Sequence, residues 1–229
     1  VIRETRITCA VCCTPVDDYD RCYRCNQHQY TAGIADLVAP LTYAAERTQS
    51  GILLRHYKDD VSEVARQQHS MVIRRALYLG IMLHQNCIEK RVGQPVYRRV
   101  MVPSLSNRPG VHPFAAITRE MNAISDQLSL VPAATATSNR IVAGTQFVIA
   151  PPQDLSGKHI LVLDDTWTTG SRTQSAALTL RAAGARYVSV MVVGRWLSPG
   201  YGNNAEFIKT RLKRDYDPRI CPVTGGACP

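Results

Sequence analysis

HILVLDDTWTTGSRTQSAALTLRAAG, residues 159–184, is the stretch whose reading decides the fold class. Its apolar, branched run Ile160 to Leu163 predicts a buried strand, and the residues after the turn predict an amphipathic helix ending at Gly184. Chemistry sits at the joint. Asp164 and Asp165 come where the strand leaves the sheet, and Thr168, Thr169, Gly170 and Ser171 form a small hydroxyl-rich turn before the helix. Such a turn aims backbone N–H groups, hydroxyls and the positive end of a helix dipole at one phosphate. Ionised carboxylates only accept hydrogen bonds, so the pair suits a ligand with hydroxyl donors; a sugar phosphate offers both features. The alternative is an acidic surface turn capping a helix, but a cap needs one Asp, not two beside Thr-Thr-Gly.

Working outward, strand and helix signals alternate. Val96 to Val102, Leu128 to Ala133, Thr145 to Ala150, Ile160 to Leu163 and Tyr187 to Val193 read as strands. Between them lie the loop Pro103 to Pro113, a helix with Phe114, Ile117, Met121, Ile124 and Leu128 on one face, and the small-residue loop 134–144. From Asp36 to Gly93 the signals are helical, with Val72, Ala76, Leu79 and Leu83 at helical spacing. Alternation of this kind predicts an α/β fold with an open, mainly parallel sheet and helices on both faces.

A chain of 229 residues with 45% hydrophobic content supports one full core and a small appended module. No apolar run is long enough to span a bilayer and the N-terminus has no signal-peptide core, so no membrane partner and a cytoplasmic location are expected. The net charge of +9 suits an anionic partner, polyphosphate or nucleic acid. The basic run Lys209, Arg211, Lys213 and Arg214 reads as a solvated face or a phosphate-backbone contact.

Cys9-Ala-Val-Cys12 and Cys22-Tyr-Arg-Cys25 are two Cys-x-x-Cys knuckles joined by a short polar segment. Four thiolates so spaced can surround one tetrahedral Zn²⁺, and the N-terminal segment is too poor in large apolar side chains to fold without such a centre. Disulfides are the alternative. Cys13 is a spare thiol that complicates the ligand assignment. Cys221 and Cys228 span a Gly-Gly turn and can chelate half a metal site, but no second Cys pair remains to complete it, and Cys87 stands alone.

The run Val162 to Ser171 resembles the phosphoribosyl pyrophosphate (PRPP) loop of type I phosphoribosyltransferases. The knuckles, the segment Leu53-Leu54-Arg55-His56-Tyr57-Lys58-Asp59 and the pattern Asn139-Arg140 followed by Gln146-Phe147 are similar to the ComF-like, competence-associated branch. The resemblance implies a zinc ribbon over residues 1–32, a catalytic α/β domain over 33–229 and the strand order 3-2-1-4-5. It implies transfer of the 5-phosphoribosyl group from PRPP to an unnamed nitrogen nucleophile, with Mg²⁺ on PRPP and release of pyrophosphate. Asp164 and Asp165 would hold the ribose hydroxyls and stabilise the cation-like transition state. Thr166, Thr168, Thr169, Gly170, Ser171 and Arg172 would bind the 5'-phosphate, though the family often has Thr or Ser where Arg172 stands. Ser104, Ser106, Asn107 and Arg108 occupy the place of the pyrophosphate loop, and Arg140 that of a mobile lid. Lys58 reads as a solvated lysine or a phosphate contact. Trp196, beside Arg195, reads as sheet-edge packing or a stacking face for a ring acceptor, and Trp167 as a packing anchor for the loop. The other class of function is non-enzymatic: a PRPP sensor, or a protein that binds single-stranded DNA through the ribbon and the basic run.

Overall fold

The computed structural model describes residues 1–59, 62–105 and 110–229. Its centre is a four-stranded parallel sheet in the spatial order β1 (Leu37–Ala45), β6 (Tyr187–Leu197), β5 (His159–Trp167), β2 (Arg98–Met101). The helices are α1 (Tyr23–His28), α2 (Gln49–His56), α3 (Glu63–Val92), α4 (Pro113–Glu120), α5 (Ser171–Ala182) and α6 (Asn204–Arg211), and β3 (Leu130–Pro132) pairs with β4 (Phe147–Ile149). Strands β5 and β6 are buried along most of their length because the sheet is covered on both faces. On one face Val38, Val100, Ile160, Val162, Val188 and Val190 pack against Ala176, Ala177 and Leu180 of α5, together with Cys9, Cys12 and Cys25 of the knuckles. On the other, Leu161, Leu163 and Met191 pack against Leu54 of α2, Ile73 and Leu77 of α3, and Phe114 of α4. The α/β, mainly parallel architecture expected from the alternation is therefore present. Among the described residues no helix is long and apolar enough to cross a membrane.

Several details differ from the sequence reading. Leu37–Ala45, placed in a helical region, is a strand paired in parallel with β6. It tolerates Pro40 because it is an edge strand among the described residues. The neighbour relations 1-4-5 of the expected order hold. The expected second and third strands instead form a separate antiparallel pair, β3 with β4, and β1 extends the sheet beyond the fifth. Helix α4 ends at Glu120, before Ile124 and Leu128, and Asn122 follows with φ of 50°. The buried face of α3 is Ile73, Leu77, Ile81, His84 and Ile88, one position from the stripe read in the sequence, and Val72 and Leu83 are exposed. The apolar residues of α3 run around the helix, so periodicity alone could not choose the face.

Helix α2 is seated by a close approach. A Cβ at Gly51 would lie 2.1 Å from the carbonyl oxygen of Ala45, the last residue of β1. Backbone, unlike a side-chain tip, cannot turn away. Gly51→Ala is expected to push α2 off the sheet edge and to destabilise the fold by about 1–3 kcal/mol, read as a lower midpoint in urea unfolding; an unchanged midpoint would refute this packing.

Candidate functional site

Strand β5 carries the chemistry to the carboxyl end of the sheet, where open parallel sheets present their ligand clefts. The strand does not end at Leu163 as read from the sequence: pairing with β6 carries β5 on through Asp164, Asp165 and Thr166 to Trp167, and the turn that follows has a shape that rests on two buried groups. The Trp167 ring lies under Gly170, where a Cβ would come within 2.1 Å of it, and Gly170 adopts φ of 79°. Any side chain there would meet both the ring and an unfavourable backbone region. The second group is Arg195, 7% exposed, whose guanidinium donates to the carbonyls of Trp167 (2.8 Å), Thr168 (3.0 Å) and Trp196 (2.7 Å). N–H and C=O of a trans peptide point oppositely, so the N–H groups of Thr168 and Thr169 face away from Arg195. The Thr169 and Ser171 hydroxyls are 3.1 Å apart, and Gly170 caps α5. The turn thus joins outward-facing donors to the positive end of a twelve-residue helix.

Helix α5 is buried nearly all round, not amphipathic, and its polar side chains hold neighbouring loops. Gln174 accepts from the Ala35 N–H (2.8 Å), and Ser175 accepts from the Ala143 N–H (3.0 Å). Buried Gln146 ties the 134–144 loop from inside, accepting from the Thr137 N–H at 2.9 Å and donating to the Asn139 side chain at 3.4 Å. Arg140 is exposed on that loop and lines the cleft.

The two carboxylates have different surroundings. Asp165 is 5% exposed; Lys58 Nζ lies 2.6 Å from its Oδ2, and the Tyr57 hydroxyl donates to the same oxygen. Burial works to raise its pKa, but the Lys58 charge and the hydrogen bonds from Lys58, Tyr57 and Thr166 outweigh it, so it is held below the usual carboxylate range. Among the described residues Asp164 makes no ion pair within contact distance, and Lys58 and Arg172 act on it only from farther away. Burial, and then the charge of Asp165, push its pKa up to about 8. The two shifts run in opposite directions, so a proton on the pair favours Asp164.

The cleft, about 540 Å³, gathers Asp164, Asp165, Thr166, Thr168, Thr169, Gly170, Ser171 and exposed Arg172 from one loop. Ser104, Arg140, Lys58 and Trp196 face them from other elements. Ser106, Asn107 and Arg108 lie outside the described residues. The sequence reading of Lys58 as a solvated lysine is corrected by its contact with Asp165. Arg195 is turned inward on carbonyls, so of the Arg195–Trp196 pair only Trp196 lines the cleft.

Similarity to known proteins is sparse. No family model matches the sequence, and no curated protein does. Among solved structures, the chain is similar to a purine phosphoribosyltransferase from Pyrococcus horikoshii OT3 at 15% identity and a TM-score of 0.30, covering 56% of this chain and 89% of that one.

Behind the turn, Cys9, Cys12, Cys22 and Cys25 have ligand atoms within 4.8 Å of one another, with the Cys12 and Cys22 sulfurs 3.7 Å apart. This fits a tetrahedral zinc site of four thiolates, whose S–S edges are about 3.8 Å. Cys13 is excluded from the cluster: its backbone has φ of 60°, and its buried thiol, pushed up to about 11 by burial, packs with Tyr43 and Phe207. Burial alone would lower the Arg195 pKa, but Cys12, Cys22 and Cys25 raise it by more, and Cys12 also accepts a hydrogen bond from it. Arg195 therefore links the cysteine cluster to the turn. Sequence reasoning missed this role because the two partners are far apart along the chain.

The raised Asp164 pKa has a consequence for stability. Between the unfolded carboxylate pKa near 4 and the folded value of about 8, the native state binds more protons than the unfolded state, so this residue costs stability as pH rises through that window. Asp164→Asn has no proton to lose. It should stabilise the ligand-free protein at pH 8 relative to wild type by on the order of 1–3 kcal/mol, with the difference shrinking toward pH 4.5 in paired urea titrations. A pH-independent difference would refute the assignment.

Proposed function

We propose that this chain is a phosphoribosyltransferase resembling the type I, ComF-like enzymes: it binds PRPP with Mg²⁺ and transfers the 5-phosphoribosyl group to a nitrogen nucleophile. The observation that carries this reading is the carboxylate pair directly ahead of a donor-rich turn at a helix N-terminus, all on one cleft. A 5'-phosphate would take the turn from Thr168 to Ser171, and the ribose diol would meet Asp164 and Asp165. Arg172 and Arg140 are cations on the same cleft and suit the remaining phosphate charge. Mg²⁺ would enter with PRPP and neutralise part of its phosphate charge, with Asp164 and Asp165 the cleft carboxylates available to help hold it.

In the transfer, the bond from ribose C1 to pyrophosphate breaks with its electron pair leaving on pyrophosphate. The nitrogen lone pair forms the new bond, and that nitrogen gives up a proton. Positive charge develops on the ribose between these events. In the ligand-free site Asp165 is balanced by Lys58 and a proton on the pair favours Asp164, so with that proton the trio carries no net negative charge. Ionisation of Asp164 when Mg²⁺ and PRPP bind would supply the missing negative charge where the cation forms, in a buried place where such a charge acts strongly. Trp196 offers a flat face beside the cleft to the acceptor.

Titration calorimetry of Mg²⁺ and PRPP in buffers of different ionisation enthalpy tests this at pH 7. Binding should release close to one proton, and Asp164→Asn should abolish the release. Replacing both aspartates by Asn should weaken binding or activity by about 10²-fold or more. Unchanged affinity in the double variant would sink the site. Incubation with PRPP, Mg²⁺ and a panel of nucleobases, amines and ammonia, followed by pyrophosphate detection, separates the functional classes. Acceptor-dependent release establishes the transferase. PRPP binding without any release, or salt-sensitive binding of single-stranded DNA alone, replaces it with a sensor or a DNA-binding protein.

A further inference from the structure

The geometry points to a second tetrahedral metal site, built from His84, Cys87, Cys221 and Cys228 and suited to a zinc-class divalent ion. It lies on the opposite face of the sheet from the four-cysteine cluster, packed with α3. His84 and Cys87 stand three residues apart on α3, hence on one face of the helix. Cys221 and Cys228 bracket the Gly-Gly turn, which by itself offers half a site. The fold supplies the other half.

The distances match a metal better than they match hydrogen bonding. His84 Nδ1 is 3.6 Å from the Cys228 sulfur and 3.9 Å from the Cys87 sulfur, and all four ligand atoms lie within 4.8 Å of one another. With Zn–S and Zn–N bonds of ordinary length, the edges of an S₃N tetrahedron are about 3.5–3.8 Å. Orientation agrees as well. His84 Nε2 is 2.7 Å from the Pro218 carbonyl oxygen, which can only accept, so that nitrogen carries the hydrogen. In the neutral ring Nδ1 then presents its lone pair toward the thiols. A backbone carbonyl fixing the tautomer of a histidine is the usual outer support of a metal ligand. Hydrogen bonding would divide the thiols between the His84 Nδ1 lone pair and, for Cys87, the Leu83 carbonyl at 3.8 Å, whereas one cation would draw all four groups to a single centre.

The surrounding backbone is shaped for the same purpose. The Cys221 N–H donates to the Gly226 carbonyl at 2.9 Å, the Gly225 N–H returns to Cys221 at 2.8 Å, and Gly225 has φ of 81°. This closes residues 221–228 into a knuckle without regular secondary structure. A single guanidinium connects it to the other cluster: Arg3 donates to Pro222 at 2.6 Å, beside Cys221, and to Ala10 at 3.1 Å, between Cys9 and Cys12. The second ion would therefore clamp the C-terminal tail to α3, a cross-link between His84 and Cys228 over 144 residues.

The test uses the full chain purified under reducing conditions with zinc present. Elemental analysis should find two zinc equivalents per chain, matching the two clusters. Cys228→Ser, at an exposed position, should retain one, as should His84→Gln. A Cys9→Ser/Cys12→Ser variant should keep the ion held by the tail site. In wild-type protein Cys87 and Cys221 should resist alkylation until a chelator is added, and in Cys228→Ser that protection should be lost. Cobalt substitution gives a second readout, because thiolate-to-metal absorption should fall by about three-sevenths when the three-sulfur site is removed. A single zinc equivalent in wild type that vanishes in Cys9→Ser/Cys12→Ser overturns the proposal. So does a Cys221–Cys228 disulfide in the reduced preparation, or zinc content unchanged in both Cys228→Ser and His84→Gln.

Discussion

A buried guanidinium holds the site together. Removing a cation from water is costly, and Arg195 is tolerated in the interior because three carbonyls and the cysteine cluster surround it. Two of those carbonyls belong to Trp167, the last residue of β5, and Thr168, the first of the turn, so the backbone that would face a phosphate is fixed from behind by the same charge that faces the thiols. The knuckles are consequently more than an appended module. Cys9, Cys12 and Cys25 share a buried cluster with Trp167, the ring on which Gly170 rests.

Asymmetry between adjacent carboxylates is the second determinant. Two like charges in one poorly solvated place cannot both ionise cheaply, and the fold answers the conflict by placing Lys58 and Tyr57 in contact with Asp165. These partners come from the C-terminal end of α2, which is seated against β1 through Gly51. Packing at the sheet edge therefore places the cation beside Asp165, and Asp164, whose pKa is raised by burial and by the charge of Asp165, lies several elements away in sequence.

Both ends of the chain are tied into the core by polar contacts. Arg3 reaches Pro222, Ala10 and the Val38 carbonyl of β1, so the edge strand lies between two cysteine-bearing loops. Helix α3 covers one face of the sheet and carries His84 and Cys87 on its buried side. Its length lets it both pack the core and reach the tail.

The sequence by itself determined what depends on neighbours along the chain. Apolar branching made Ile160 to Leu163 a buried strand, and Asp164 through Ser171 formed a continuous site because consecutive residues at a strand end must share one corner. The pairing of the Cys-x-x-Cys knuckles was legible for the same reason: spacing limits which thiols can meet. Leu37–Ala45 was misread because its Pro and Ala residues weaken the strand signal, which only pairing with β6 restores. The roles of Lys58, Tyr57 and Arg195, and the meeting of His84 and Cys87 with Cys221 and Cys228, were decided by tertiary structure alone. Each joins residues far apart in sequence through burial, charge or ligand geometry, and those terms exist only once the sheet has brought the elements together.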